Sequence, residues 1–227
     1  RNTQTNEESE TYYTDENGFL TLPDEITYGN YELTEVVPPN GYVLNTMPVS
    51  FGIDGNTPEV IIRLSDKPEK GKISVLKKGE MFSSVEVSED RYVPVYSERG
   101  LKDAEFEVTA AEDIYTADGT LRISKGALAD TLVTDESGEA ESKELYPGKY
   151  LLREISAPEG YILSAEPREI TVVSGVTSAE ILNERQKQGF KLKKELETDQ
   201  KFGIGFNGEI LNIRFGLFSK TELTALD

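Results

Sequence analysis

Short runs of alternating apolar and polar residues recur along this chain, separated by Gly, Pro, Asp or Asn. The runs are rich in Val, Ile, Tyr, Phe and Thr, which is typical of β-strands with one face turned to a core. Six runs are predicted to be strands: GKISVLK (71–77), AEFEVTA (104–110), LADTLVT (128–134), GKYLLREI (148–155), REITVVS (168–174) and AEILN (179–183). Seven or so strands in about 120 residues predict an all-β fold, a β-sandwich.

Two segments between these strands need a separate interpretation. Residues 111–131 form a longer connection that could hold a helical turn. Residues 81–100, MFSSVEVSEDRYVPVYSERG, are predicted to be an inserted hairpin or a long loop.

Longer matches show that the chain repeats itself. The matched pairs are TDENG (14–18) with TDESG (134–138), YGNY (28–31) with PGKY (147–150), PPNGY (38–42) with APEGY (157–161), DKPEKGKISVLKK (66–78) with NERQKQGFKLKKE (183–195), and LKDAEFEV (101–108) with ILNIRFGL (210–217). We therefore expect the C-terminal part of one domain at 1–66, a complete domain at 67–186 and the N-terminal part of a third at 187–227. The connectors SDKPEKG and NERQKQG are short and polar, as in closely spaced tandem domains.

Three of the predicted strands end an apolar row with a polar side chain. Because residues i, i+2 and i+4 of a strand share one face, the inward row of GKISVLK ends at Lys77, that of GKYLLREI at Glu154 and that of AEILN at Asn183. An unpaired charge in a core is costly, so these groups must be paired, neutralised or exposed. One interpretation is a Lys77–Glu154 salt bridge at a solvated strand end, with Asn183 capping a turn. The other is a covalent crosslink.

Composition narrows the function classes. The chain has 42 Asp and Glu against 24 Lys and Arg, and the net charge of -18 opposes binding to nucleic acid or to an anionic membrane surface. It has no Cys and no His, which excludes disulfides, thiol nucleophiles, Ser-His-Asp triads and the usual zinc ligands. DENG and DESG lack the spacing of a calcium loop, so we expect no metal and no cofactor.

Neither membrane insertion nor enzymatic turnover is expected of this segment. No apolar run is long enough to span a membrane, and no signal peptide opens the chain. A glycosidase that uses paired carboxylates is disfavoured, because the acidic residues lie mostly in turns and on outward faces.

The motifs GKISVLKK, LKDAEFEV, TDESG, PGKYLLREISAPEGY and EILN, in this order, resemble the Cna B-type (SpaA-like, prealbumin-like) domains of Gram-positive cell-surface adhesins and pilins. The resemblance covers 67–186 and fits both partial repeats, since Y-x-x-x-E-x-x-x-P-x-G-Y occurs twice in register. It implies tandem Ig-like or prealbumin-like β-sandwiches in an extracellular protein attached to the cell wall.

The resemblance also implies a chemistry. In that family a first-strand lysine commonly forms an intramolecular isopeptide bond with a last-strand asparagine, and a glutamate promotes the bond. Matched by motif, these are Lys77, Asn183 and Glu154, and Glu35 is the equivalent glutamate of the first repeat. Burial favours the neutral amine, which is the nucleophile. A protonated Glu154 could polarise the Asn183 carbonyl and pass a proton to departing ammonia, in a reaction that occurs once per domain.

Two neighbouring lysines, Lys78 and Lys193, compete for the crosslinking position. The face count favours Lys77 and, in the third repeat, Lys194, because Phe190, Leu192 and Lys194 continue the same alternation.

The partial repeats lack crosslinking partners. Asp66 stands where the first repeat needs its acceptor asparagine, and Asp can serve by losing water. We expect the lysine that would partner Asp66 to lie outside this chain. The same holds for the glutamate and acceptor that would partner Lys194, in a domain where Phe215 corresponds to the inward Phe106.

The sequence therefore predicts a stalk region whose partners are the neighbouring domains of the same array. The alternative is an adhesin module that contacts a host extracellular protein through the 81–100 insertion, with Tyr92, Val93, Val95 and Tyr96 as contacts. The competing interpretation of that insertion is an ordinary hairpin packed on its own sandwich.

Overall fold

The computed structural model describes residues 1–22, 26–56, 59–88, 91–195, 201–202 and 215. Within these ranges the chain forms β-strands and no helix, so no described helix could cross a membrane. The strands are β1 (Gly29–Leu33), β2 (Tyr42–Val43), β3 (Val49–Ile53), β4 (Lys67–Pro68), β5 (Gly71–Ser88), β6 (Arg91–Gly100), β7 (Glu105–Ala110), β8 (Ile114–Tyr115), β9 (Leu121–Ile123), β10 (Leu128–Val133), β11 (Glu139–Glu141), β12 (Gly148–Ser156), β13 (Arg168–Val172) and β14 (Gly175–Asn183). The predicted all-β fold is confirmed.

Two four-stranded sheets form the sandwich between residues 71 and 183. One sheet has the order β10-β7-β12-β13, and the other has the order β11-β5-β14 with β6 paired to β5. Most neighbours are antiparallel, but the first long strand β5 and the last strand β14 run parallel, with Ile181 opposite Lys77 and Asn183 opposite Gly79. The two ends of the sandwich sequence therefore lie side by side in one sheet.

Alternation along the strands builds one core between the sheets. β12 alternates between buried and more exposed side chains from Tyr150 to Glu154, and β5 does so from Gly71 to Gly79. The buried apolar residues come from both sheets: Ile73, Val75, Phe106, Val108, Ala129, Leu132, Tyr150, Leu152, Ile170, Val172 and Ala179. All six predicted strands are present. They could be predicted because period-two alternation is the local signature of a half-buried strand.

The connection at 111–131, which could hold a helical turn, contains none. This connection contains the short hairpin of β8 and β9 instead. Asp118 accepts hydrogen bonds from the Thr120 amide (3.0 Å) and the Thr116 hydroxyl (2.6 Å), and Gly119 has a φ of 77°. The side-chain acceptor and the left-handed glycine favour a tight turn over a helix.

The 81–100 insertion is a hairpin, as one of the two predicted forms. The distal half of β5 pairs with β6 from Ser88↔Arg91 down to Lys78↔Gly100. Tyr92, Val93 and Tyr96 are exposed. Tyr96 of the hairpin contacts Arg185, which follows the last strand of the sandwich: the guanidinium lies 4.6 Å from the centroid of the tyrosine ring.

The two P-x-G-Y turns bind the connectors that follow them in the same way. The Glu69 amide donates to the Gly41 carbonyl (2.8 Å), and the Gln186 amide donates to the Gly160 carbonyl (2.8 Å). Each turn also makes a β-type pairing with its connector, through β2 with β4 in the first repeat and through Tyr161 in the second. The structure thus reproduces the repeat register that the sequence matches predict. The division into domains at 66 and 186 stays a prediction.

The inward row predicted for the third repeat is not buried. Residues 187–195 form no strand, and Phe190, Leu192 and Lys194 are all exposed. Phe215, aligned with the buried Phe106, is 60% exposed. A strand buries one face only when it is paired and a second sheet covers it, and no described residue pairs with this segment.

Candidate crosslinking site

Strands from both sheets bring Lys77, Glu154 and Asn183 together inside the sandwich. Lys77 on β5 and Asn183 on β14 belong to neighbouring strands of one sheet, and Glu154 comes from β12 of the other sheet. All three are buried: Lys77 is 0% exposed, Asn183 2% and Glu154 3%. All three face inward, as alternation predicts. The site is buried, which argues against the interpretation as a solvated strand end.

One carboxylate oxygen contacts both nitrogen atoms of the site. Glu154 Oε1 lies 3.0 Å from Lys77 Nζ and accepts a hydrogen bond of 2.8 Å from Asn183 Nδ2. Lys77 Nζ in turn donates to Asn183 Oδ1. The second carboxylate oxygen, Oε2, accepts a bond of 2.8 Å from the backbone amide of Ser164, which fixes the orientation of the carboxyl group. The lysine amine therefore lies against the side-chain amide, with the carboxylate beside both.

This arrangement differs from the expected one in a single respect. The sequence predicts a Glu154 carboxyl that polarises the Asn183 carbonyl and passes a proton to departing ammonia, whereas in the structure this carboxyl contacts the amide nitrogen. A carboxyl group there is suited to protonating the nitrogen that leaves, rather than to polarising the carbonyl.

Burial sets the electrostatics of the lysine. Desolvation lowers the pKa of Lys77 below its ordinary value, and the hydrogen bond and charge of Glu154 oppose that shift. The Phe106 ring centroid lies 5.7 Å from Nζ on the other side. A lower pKa means a larger neutral fraction, and only the neutral amine is nucleophilic.

Tyr161 and Gly79 explain why the end of the strand is dry. Gly79 is the next inward position after Lys77 on β5, and it has no side chain to fill the core. A Cβ on Gly79 would lie 2.6 Å from Cε1 of Tyr161 and 2.6 Å from Cδ1 of Leu101, closer than atoms can approach. The tyrosine ring therefore packs where a side chain of residue 79 would stand. Sequence reasoning missed this pair, although the glycine after two lysines and the repeated Gly-Tyr were available as signals.

The competing lysines lie outside the site. Lys78 points outward and its Nζ binds Glu180 Oε2 at 2.8 Å. Lys193 is exposed and contacts Glu195. Lys194 is equally exposed, so within the described residues neither lysine of the third repeat reaches a buried carboxylate.

The first repeat contains the counterpart of the glutamate and of the acceptor. Glu35 Oε2 accepts a 2.8 Å bond from the Asn45 backbone amide, as Glu154 does from Ser164. Asp66 lies beside Glu35, and its pKa is raised first by burial and then by the charge and hydrogen bond of Glu35. At the acceptor position of this repeat, the carboxyl group of Asp66 thus lies against that of Glu35.

A cleft of about 360 Å³ lies beside Glu154, and neither Lys77 nor Asn183 lines it. Glu154 and Ser164 line it together with residues at the start of β13 and the end of β14. Among the residues that the structure describes, no group of three or more acidic side chains is placed to hold a metal ion.

The family model for the SpaA prealbumin-like fold domain matches residues 1–68 and 95–185. The chain belongs to this family. The predicted resemblance is confirmed, and the second matched range includes Glu154 and Asn183, whereas Lys77 lies between the two ranges.

Solved structures give further matches, two of them to pilins. The Bacillus anthracis TIE protein is 24% identical with a TM-score of 0.45, over 79% of this chain and 28% of that one. GBS52, the minor pilin of Streptococcus agalactiae, is 21% identical with a TM-score of 0.36, over 81% and 71%. BcpA(D312A), the major pilin subunit of Bacillus cereus, is 19% identical with a TM-score of 0.30, over 51% and 29%. The chain spans 28% of the TIE protein that it matches. No curated protein gives a significant match.

Proposed function

We propose that this chain is part of the stalk of a Gram-positive cell-wall surface protein, an adhesin or a pilin, and that an isopeptide bond between Lys77 and Asn183 locks its complete domain. The observation that carries the proposal is the buried contact of the Lys77 amine with the Asn183 amide, with one Glu154 oxygen touching both nitrogens. Membership of the SpaA family supports the stalk role, with neighbouring domains of the array as partners.

The reaction needs only the side chains present. The neutral Lys77 amine attacks the Asn183 side-chain carbonyl carbon, and Glu154 Oε1 takes the proton that the amine loses. The same carboxyl gives a proton to Asn183 Nδ2, the carbon–nitrogen bond of the amide breaks, and ammonia leaves as the new bond to Lys77 Nζ remains. Fixed proximity supplies much of the rate, since effective molarities of roughly 10⁵ M are known for well-oriented groups. The bond forms once, so the domain matures and does not turn over.

Intact mass of the full chain tests the crosslink. The purified protein should be lighter than its sequence mass by one ammonia, and a digest should contain one peptide joining Lys77 to Asn183. Lys77→Ala and Glu154→Gln should each restore the full mass, because the first removes the nucleophile and the second the proton acceptor.

The first repeat supplies the matched control for that experiment. Glu35 has the same type of backbone amide contact as Glu154 but has Asp66 in place of the asparagine, and among the described residues it forms no ion pair with a lysine. Glu35→Gln should therefore leave the mass deficit unchanged. Full sequence mass in the unmodified chain would refute the crosslink while leaving the fold intact.

An alternative function is binding of a host extracellular protein through the 81–100 hairpin. The exposed side chains of Tyr92 and Val93 on β6 favour it, since a hairpin that packs wholly on its own sandwich would bury them. A binding screen against extracellular matrix proteins should then give a signal with the full chain. That signal should disappear when residues 83–95 are replaced by Asn-Gly, and a signal retained by the shortened chain would exclude the hairpin as the contact.

A further inference from the structure

A single loop, residues 157–164, forms hydrogen bonds with Glu154 and with the backbone close to Lys77 and to Asn183. Its Ser164 amide holds Glu154 Oε2 at 2.8 Å. Its Tyr161 hydroxyl donates to the Glu80 carbonyl of β5 at 2.6 Å, three residues beyond Lys77. Its Ile162 amide donates to the Glu184 carbonyl at 2.8 Å, one residue after Asn183. The loop thus fixes all three partners relative to one another.

We propose that Tyr161 is a positioning residue for the crosslinking reaction: its ring closes the inward row of β5 after Lys77 and keeps water away from the amine. The inference rests on the proposed Lys77–Asn183 bond and assigns a role to a side chain that does not react. The ring packs over Gly79, and the Gln186 side chain donates to the Tyr161 carbonyl at 3.0 Å, so both ends of the tyrosine are anchored.

Gly79 makes room for the Tyr161 ring. Gly79 lies opposite Asn183 in the parallel pair of β5 and β14, so a side chain at residue 79 would stand between β14 and the tyrosine. A Cβ would also lie 3.1 Å from the backbone carbonyl oxygen of Asn183. Glycine leaves the space that the ring fills, and a larger residue would push the ring away from the site.

Water exclusion affects the pKa of the lysine amine. Among the described residues, Glu154 on β12 is the charged group paired with Lys77. The pKa of Tyr161 is raised mainly by burial, while the charge of Arg185 lowers it and that of Glu80 raises it. Burial is the main cause of the lowered Lys77 pKa, and water admitted beside the amine would raise that pKa towards its ordinary value.

Crosslinking kinetics of the full chain test the proposal. The chain is made by cell-free synthesis, samples are denatured at successive times, and ammonia loss is read by intact mass across a pH series. Tyr161→Ala should slow the reaction at neutral pH by about tenfold and move the midpoint of the pH–rate curve upward by about one unit, because each unit of lysine pKa changes the neutral fraction tenfold. Tyr161→Phe keeps the ring and should retain the midpoint, with a rate within about twofold of the unmodified chain, since only one exposed hydrogen bond is lost.

Tyr42→Ala is the matched control, because Tyr42 occupies the same turn in the first repeat and should alter neither rate nor midpoint. If Tyr161→Ala does not fold by circular dichroism, Gly79→Ala, which displaces the ring, is judged by the same upward shift of the midpoint. A Tyr161→Ala chain that reacts like Tyr42→Ala, or that is slowed equally at every pH, overturns the positioning role. Absence of ammonia loss in the unmodified chain overturns instead the crosslink on which the role rests.

Discussion

At the residue scale, the two repeats place the same glutamate in two different surroundings. Glu154 contacts an amine and an amide, whereas Glu35 lies against the carboxyl of Asp66. Two carboxylates side by side repel, so the pair is favoured when one of them holds a proton. The stability of the first repeat should therefore depend on the protonation of Asp66. The second repeat has Asn183, which does not titrate, at the same position.

We predict that Asp66 binds its proton more tightly in the folded chain than in the unfolded chain. Its raised folded pKa means that the folded state holds the extra proton, so the stability of the region around Asp66 falls as pH rises above 3.8 through the raised value and recovers on acidification. A carboxyl-carbon NMR titration measures this directly. Glu35→Gln should lower the Asp66 pKa part of the way towards its ordinary value, since burial, the largest cause, remains. An Asp66 titration that does not change in Glu35→Gln would contradict the contact.

At the scale of elements, β5 has two different halves. Residues 71–79 pair with β14 and carry the inward row that ends in Lys77 and Gly79. The remainder pairs with β6 and extends as a hairpin with exposed side chains, including Met81 and Val87. The site depends on the first half, and the second half supplies little burial to the sandwich.

Shortening the hairpin should therefore leave the domain intact. Replacing residues 83–95 by Asn-Gly joins the paired Phe82 and Tyr96 through a two-residue turn and keeps the Tyr96–Arg185 contact. We expect the mass deficit of one ammonia to persist and the melting temperature to change by only about 2–4 °C, since exposed side chains contribute little to stability. Loss of the crosslink in this variant would show that the distal hairpin helps to assemble the site.

At the scale of the molecule, the proposed crosslink would join the first long strand of the sandwich to its last. Force applied at the chain ends enters near β5 and leaves near β14, which are parallel neighbours. A bond from Lys77 to Asn183 carries that force across one covalent link and spares the residues between. By the loop-entropy estimate used for disulfides, closing about 100 residues stabilises the folded state by about 4–5 kcal/mol.

Single-molecule pulling on the full chain should show this shielding. The unmodified domain should release no extension from residues between 77 and 183. Lys77→Ala should add about 350–380 Å of contour length, from a separation of 106 residues at about 3.3–3.6 Å each. Glu35→Gln serves as the control with the crosslink retained. An unmodified chain that already shows the extra extension would contradict a closed loop.

The sequence by itself determined six strands of the sandwich, their inward faces and the register between the first two repeats. Side-chain alternation is a local property of an extended backbone, so it identified Lys77, Glu154 and Asn183 without knowledge of their neighbours. The repeated P-x-G-Y turns likewise predicted the equivalence of Glu35 with Glu154, which the matching amide contacts of Asn45 and Ser164 reproduce.

Only the tertiary structure decided how dry the site is and which amide atom the carboxyl contacts. Burial at a strand end depends on what packs over it, and the ring over Gly79 belongs to Tyr161, whose hydroxyl bond to Glu80 spans 81 positions of sequence. The same reason explains the third repeat, where the alternation of Phe190, Leu192 and Lys194 is present in the sequence but no described partner strand buries it. Alternation determines which side chains share a face, and long-range packing determines whether that face is buried.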